Sequence, residues 1–314
     1  MWAGVQTALG LRYVGAHTTK GASVSQPRSV RVLRLGCEFN HVAQSVTPAS
    51  FLVRPAGEAA VVRELWTCDP VTPATQFRDL YGNQIRRLLL PAGESLVGYY
   101  ALVEVPDELD AADPDAVLGT PETLPDETLL FTLPSRYCQS DMLSAAAWER
   151  FGNRERTFAL VTEVQDWVWN HLEYRTGSTG SWWTARDSFE AGYGVCRDFA
   201  HLMITLCRAL NIPARYVSGY LPDLDVPPLP TAMDFHAWVE IYVGDRWWTF
   251  DPRHNARRKG HVVIARGRDA ADAAMVTSYG SPWLRRLTVW ADEDLSEPWP
   301  PEDTSMGARD PFGS

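Results

Sequence analysis

Three side chains in this sequence could together transfer an acyl group. They are the thiol of Cys196 in "GYGVCRDFAHL", the imidazole of His236 in "DFHAWVEIY" and the carboxylate of Asp251 in "TFDPRHN". A thiolate attacks a carbonyl, a neighbouring imidazole takes and returns the proton, and a carboxylate orients that imidazole and stabilises its cation. Each residue also has a plainer reading. A single cysteine in an apolar helix is more often core packing than a catalyst, a strand histidine is as readily a hydrogen-bonded sheet residue, and an aspartate before proline as readily caps a turn. The outcome depends on whether the surrounding elements bring the three together.

Around Cys196, apolar residues at 199, 200, 202, 203, 204, 206, 207, 209 and 210 nearly surround a helix, leaving Arg197, Asp198, His201, Thr205 and Arg208 as a narrow polar stripe. Such a helix belongs at the centre of a domain, with one thin face in water. Gly192 and Gly194 mark its start, Pro213 lies beyond its end, and Asp187 with Glu190 has capping-box spacing for a short helix upstream. Cys196 therefore falls in the first turn, where unpaired backbone N–H groups and the helix dipole favour a thiolate. Cys207, three turns deeper on an apolar face, reads as packing.

The histidine and the aspartate lie in "MDFHAWVEIYVGDRWWTFDPRHN", two strand-like runs flanking a Gly-Asp turn. A two-residue turn at Gly244 and Asp245 pairs Val243 with Arg246 and Tyr242 with Trp247, and sets His236 opposite Arg253 and Trp238 opposite Asp251. Side-chain alternation then gives a core face (Ala237, Val239, Ile241, Val243, Trp248, Phe250) and a more polar face (His236, Trp238, Glu240, Tyr242, Trp247, Thr249, Asp251). On that second face His236 and Asp251 are diagonal neighbours, roughly 7–8 Å apart at the backbone and within side-chain reach. One more residue in the turn would put them on opposite faces. The basic run "ARRKGHVVIARGRD" that follows reads as a solvated rim, and His254 as a loop residue.

Upstream, alternation from Val30 and short strand-like runs separated by "LYGNQ" and "PAGE" predict an all-β module over 30–105. Nine carboxylates without a Lys or Arg between Glu104 and Glu127, among prolines, make 106–138 an acidic linker. Helical periodicity in "SDMLSAAAWERFG" and "RERTFALVTEVQDWVWNHLEYR" opens a catalytic-type domain over 139–292. Residues 1–29 and 293–314 carry no periodicity and read as a flexible leader and tail.

The net charge of −10 excludes a nucleic-acid binder, which needs Lys and Arg to neutralise phosphates. No apolar run approaches the ~18 residues of a membrane span, and no basic segment precedes an apolar one as in a secretory signal. Five scattered cysteines, with neither CxxC nor HExxH spacing, argue against structural zinc or a disulfide framework and for reduced thiols in the cytoplasm.

The runs "GYGVCRDFAHL…LCRALNIPARYVSGY" and "DFHAWVEIYVGDRWWTFDPRHN" resemble the transglutaminase-like superfamily of papain-type thiol enzymes, in its bacterial branch with an N-terminal β domain, over about 150–265. That resemblance implies an α+β fold: a papain/transglutaminase-like core, with the cysteine helix packed on an antiparallel sheet, preceded by an all-β sandwich-like domain. It implies Cys196 as nucleophile, His236 as its base and Asp251 as orienter, with the Cys196 N–H among the oxyanion donors. A glutamine carboxamide or peptide bond of a protein substrate would form a thioester that passes to an amine or to water, without a metal or cofactor. Trp238 and Trp247 are expected to wall the substrate groove, and ATP-grasp-like or α-helical partner proteins are implied. The competing reading is a non-catalytic peptide-binding or assembly module on the same fold, against which the intact Cys, His and Asp set counts.

Overall fold

The computed structural model describes residues 29–228 and 232–293. The alternation that begins at Val30 becomes a long strand, β1 (Val30–Ala43), which buries Leu33, Leu35, Cys37 and Phe39. It is followed by β2 (Thr47–Phe51), β3 (Ala60–Asp69), β4 (Ala74–Arg78), β5 (Gln84–Leu90) and β6 (Gly93–Pro106). The helical part comprises α1 (Asp126–Leu129), α2 (Ser144–Phe151) and α3 (Phe158–His171). A short strand, β7 (Glu173–Tyr174), then leads to α4 (Ala185–Ala191), β8 (Tyr193–Gly194) and α5 (Cys196–Ala209). Six strands complete the chain: β9 (Ala214–Tyr220), β10 (His236–Val243), β11 (Arg246–Phe250), β12 (Val262–Gly267), β13 (Val276–Ser278) and β14 (Trp283–Asp292).

The fold is α+β, as the sequence suggested. The core sheet has the antiparallel order β11-β10-β9-β12, and α5 packs on it. The all-β part holds two four-stranded sheets, ordered β14-β1-β6-β3 and β13-β2-β5-β4. One outer strand of each comes from the far end of the chain. Leu35 of β1 faces Ala291 of β14, and Phe51 of β2 faces Val276 of β13. Residues 276–292, which sequence order assigns to the second domain, hydrogen-bond into the β module. Physically, β1 and β2 would otherwise present open edges of unpaired N–H and C=O groups. One hydrophobic core runs through both parts, joining Leu35, Phe39 and Phe51 to Tyr220, Val239 and Leu202.

The acidic segment 106–138 is also more than a linker. Lys259 reaches Asp107 at 2.7 Å, the Arg258 N–H donates to Asp110 at 3.0 Å, and Arg208 donates to the Leu133 carbonyl. Its carboxylates meet the basic run after β11, so two stretches that each look solvated in sequence neutralise one another. The leader, and the tail beyond Glu293, lie outside the described residues. Among the described residues no helix is long and apolar enough to cross a membrane.

The stripe on α5 differs from expectation as well. Asp198, His201, Thr205 and Arg208 are all buried. Segments before and after the helix cover them and supply partners. His201 stacks on Tyr137 at 5.2 Å between ring centroids and accepts the Ala270 N–H, while Arg208 donates to the carbonyls of Leu133, Ala214 and Arg268. A buried guanidinium is tolerated because carbonyl oxygens take its protons.

Candidate active site

The approach to Cys196 is set by local backbone chemistry. Helix α4 starts with a reciprocal cap in which the Thr184 side chain accepts the Asp187 N–H and Asp187 accepts the Thr184 N–H. This is one step earlier than the Asp187 and Glu190 spacing suggested, and Glu190 instead pairs with Arg186 on the surface at 2.7 Å. The helix closes at Gly192, whose φ of +74° suits a residue without a Cβ. Gly194 is required for a second reason: a Cβ there would lie 2.6 Å from the Asp198 Cβ. That proximity lets Asp198 Oδ2 accept the Val195 N–H at 2.9 Å and the Thr179 hydroxyl at 2.6 Å. The first turn of α5 is thus anchored, with Cys196 as its first, half-buried residue.

The hairpin forms with the expected register: Val243 faces Arg246, Tyr242 faces Trp247 and Val239 faces Phe250. Gly244 takes the positive φ, +64°, that the tight turn needs. Asp251 follows β11 directly, and its Oδ2 lies 2.8 Å from His236 Nε2. Its Oδ1 accepts the backbone N–H groups of Arg253 and His254 at 3.0 and 3.2 Å, which fixes the carboxylate. Cys196 lines the same cavity as the imidazole, and its side chain adds to the forces that favour the charged ring. With Nε2 committed to Asp251, Nδ1 is the nitrogen left for the sulfur.

The charges reinforce this geometry. Burial works against a charged His236, but the Asp251 carboxylate, by field and hydrogen bond, and the Cys196 sulfur outweigh it and push the imidazole up to about 10. Burial likewise opposes ionisation of Asp251, and the His236 and His261 imidazoles reverse that, holding the carboxyl well below the usual carboxylate range. The remaining thiols differ. Burial pushes Cys37, Cys138 and Cys207 up to about 12 and raises Cys68 less far.

Sequence reasoning missed two residues that the structure adds behind Asp251. The His261 side chain, 5% exposed, has Nδ1 3.0 Å from Asp110 Oδ2 and Nε2 3.7 Å from Asp251 Oδ2. Burial disfavours its charge, yet Asp110 and Asp251 hold its pKa above the ordinary value. His236, Asp251, His261 and Asp110 form an alternating row of imidazoles and carboxylates. The apolar run "VVIA" was the available signal, since it makes β12 a strand with His261 directly ahead of it.

Trp238 and Trp247, expected to wall the groove, are elsewhere. Trp238 has no exposed surface and lies against the rings of His236 and His261, with centroids 6.1 and 4.7 Å away. Trp247 sits at the turn end of the hairpin under the Arg215 guanidinium and against Phe131. The more polar face of the hairpin is partly covered, because His261 lies against Trp238 and Phe131 against Trp247.

His254 presents its ring 5.1 Å from that of His236, and His236, Asp251 and His254 offer ligand atoms within 4.8 Å of one another. A cation could bridge that spacing, but the Arg258 guanidinium lies 3.3 Å from His254 Nδ1 and opposes a second positive charge. Burial pushes His254 down to about 4; Asp251 favours its charge, but the cations His236, Arg258 and Arg253 oppose it. Cys196 and His236 both open onto a cavity of about 500 Å³.

The sequence model of the transglutaminase-like superfamily matches residues 146–252, the segment that carries all three residues. An uncharacterized protein of Mycobacterium leprae is 33% identical over 144 residues, 45% of this chain, which spans only about half (51%) of that relative's length. A second uncharacterized protein, from Mycobacterium tuberculosis, is 29% identical over 66% of this chain and 72% of its own. The crystal structure of a candidate cysteine protease from Cytophaga hutchinsonii superposes with a TM-score of 0.74 at 32% identity, covering 84% of this chain and 91% of that one. With the matching core sequence, the shared architecture along nearly the whole relative and the cysteine helix set on its antiparallel sheet, the chain belongs to the transglutaminase-like superfamily.

Proposed function

We propose that the protein is a thiol enzyme that cleaves or transfers amide acyl groups through Cys196, His236 and Asp251. The observation that carries this reading is the His236 imidazole held at 2.8 Å by the Asp251 carboxylate and sharing with Cys196 a cavity large enough for a substrate segment. The reacting form is the Cys196 thiolate beside the His236 imidazolium. The thiolate attacks the amide carbonyl, forming the C–S bond while the carbonyl π electrons move to oxygen. The Cys196 N–H, at the first position of α5 and so without an acceptor inside the helix, donates to that oxyanion. His236 Nδ1–H then protonates the departing nitrogen as the C–N bond breaks, leaving a thioester and a neutral imidazole. Water or an amine, deprotonated by the same nitrogen, attacks the thioester and releases the thiolate. Asp251 keeps the ring aligned and its cation stable at each stage. The likeness to a candidate cysteine protease supports the hydrolytic outcome, and the five unpaired cysteines support action in a reducing compartment, the cytoplasm.

The test is chemical. Iodoacetamide labelling across pH, read by peptide mapping, is expected to modify Cys196 rapidly below the pH at which an ordinary thiol of pKa about 8.5 reacts. Peptide turnover is expected to fall by roughly 10³-fold or more in Cys196→Ala. Ordinary reactivity at Cys196 together with unchanged turnover in the variant would falsify the catalytic reading.

A further inference from the structure

The cavity beside Cys196 has a composition that selects the side chain it can hold. One wall is the run Ala270, Ala271, Ala273 and Ala274, where short side chains leave the space open. Another part of the lining comes from the β module: Leu287, which faces Phe39 across β1 and β14, and Leu284, which faces His41 beyond a bulge. Both leucines keep substantial exposure, 36% and 43%, although each is large and apolar. Phe235, stacked on the buried Phe39 at 6.2 Å, leads directly into His236. Two charged groups border this space, Arg197, which is held by its neighbours, and the exposed carboxylate of Asp234. Arg197 donates to Asp198, Thr179 and the Gly180 carbonyl, and Asp234 accepts the Phe235 N–H.

From this the geometry points to a binding site for a bulky apolar side chain, of leucine, methionine or phenylalanine type, carried on the acyl side of a peptide substrate. The inference rests on the thiol-enzyme reading and deepens it by naming the substrate class. The alanine wall supplies the room, and the leucines and Phe235 exclude water from it, so an apolar side chain gains by leaving solvent whereas a carboxylate would lose its hydration and meet the Asp234 charge. The β module thereby becomes part of the specificity site: β14, returning from the end of the chain to pair with β1, brings Leu284 and Leu287 to the thiol.

Peptidyl acyloxymethyl ketones, which alkylate an active thiol without needing turnover, test this directly. A set varying each of the three residues nearest the reactive ketone among Gly, Ala, Leu, Phe, Asp and Lys is reacted with the full chain. Each second-order rate at Cys196 is divided by the iodoacetamide rate of the same protein. At one position Leu or Phe is expected to exceed Ala by about 10- to 100-fold and to exceed Asp by more. In the surface variant Leu284→Lys with Leu287→Lys, the same ratio of Leu to Ala is expected to fall below about threefold, and the ratio of Asp to Ala to rise. A flat profile at every position overturns the inference, as does a profile the double variant leaves unmoved. Slow, ordinary iodoacetamide labelling of Cys196 would instead strike at the thiol-enzyme reading itself, so the two failures are distinguishable. A second wall variant, Ala274→Phe, fills the cavity from the alanine run and is expected to reject Phe more than Ala.

Discussion

Asp251→Asn separates the two things the carboxylate does for His236. The amide can still accept a hydrogen bond from the ring, so orientation is largely kept, while the negative charge is lost. In the wild type the imidazole is raised from 6.5 to about 10 despite its burial. At about 1.4 kcal/mol per tenfold change, that is roughly 5 kcal/mol in favour of the cation. Without the charge, burial is the larger influence and the imidazole is expected to titrate below 6.5. The Cys196 sulfur then faces a neutral ring at pH 7 and loses its counter-charge. The assay is an NMR titration of ¹³C-labelled histidine from pH 4 to 11, alongside the pH dependence of iodoacetamide labelling at Cys196. The alkaline limb is expected to move from about pH 10 to below 7. Labelling at pH 6 is expected to fall about 10²-fold or more, because an unassisted thiol is only about 0.3% ionised there. The linkage to stability has a definite sign. A raised imidazole stabilises the fold fully below its unfolded value and loses that contribution as pH rises through its folded one, whereas a depressed carboxyl contributes only above its own unfolded value. The unfolding free energy of wild type over Asp251→Asn is therefore greatest between about pH 4 and 6.5 and closes towards pH 10. A His236 midpoint within one pH unit of wild type in the variant would refute the whole chain of reasoning.

Under native conditions at pH 7.5, iodoacetamide is expected to spare Cys37, Cys138 and Cys207, whose thiols burial pushes up to about 12; labelling of Cys207 at the rate of Cys196 would contradict this. Asp198→Ala removes the acceptor for the Val195 N–H and the partner of Arg197, and is expected to cost about 2–3 kcal/mol in urea unfolding, with Asp198→Asn recovering part of it. His261→Asn removes the imidazole between Asp110 and Asp251 and is expected to lower kcat/KM about tenfold while shifting the alkaline limb of the pH profile. A lower melting temperature with an unshifted profile would reduce His261 to a purely structural part.

The site was legible where a short-range rule fixed it. A two-residue turn sets the register of β10 and β11, the two-residue period sets the face, and together they bring His236 to Asp251. The start of α5 was legible from its glycines and from the apolar residues that follow. What escaped detection was set by partners far away in sequence. The polar stripe on α5 reads as wet until segments 133–138 and 268–273 cover it, because residue type does not show which carbonyls will meet Arg208. Trp238 reads as a groove residue until β12 brings His261 onto its face. The split between modules follows sequence order, whereas β13 and β14 pair with strands near the other end of the chain.

The acidic segment has the largest consequence for function. Its carboxylates look like the solvated charges of a linker, and the basic run after β11 looks like a solvated rim, because each is read beside its own neighbours. Folding sets one against the other. Asp107 takes Lys259 and Arg31, and Asp110 takes His261 and the Arg258 N–H. Asp110 thereby anchors the row that ends at Cys196, and a change more than eighty residues upstream of the cysteine can reach it. Asp110→Asn should act through His261: with one of its two carboxylates gone, that imidazole loses its charge at lower pH, and Asp251 keeps only His236 as a cationic ring in contact. The effect on Cys196 labelling is therefore expected to be smaller than that of His261→Asn and in the same direction. The double variant should match His261→Asn alone, since both changes interrupt a single row. Additive losses in the double variant would mean that Asp110 and His261 act on the site by separate routes.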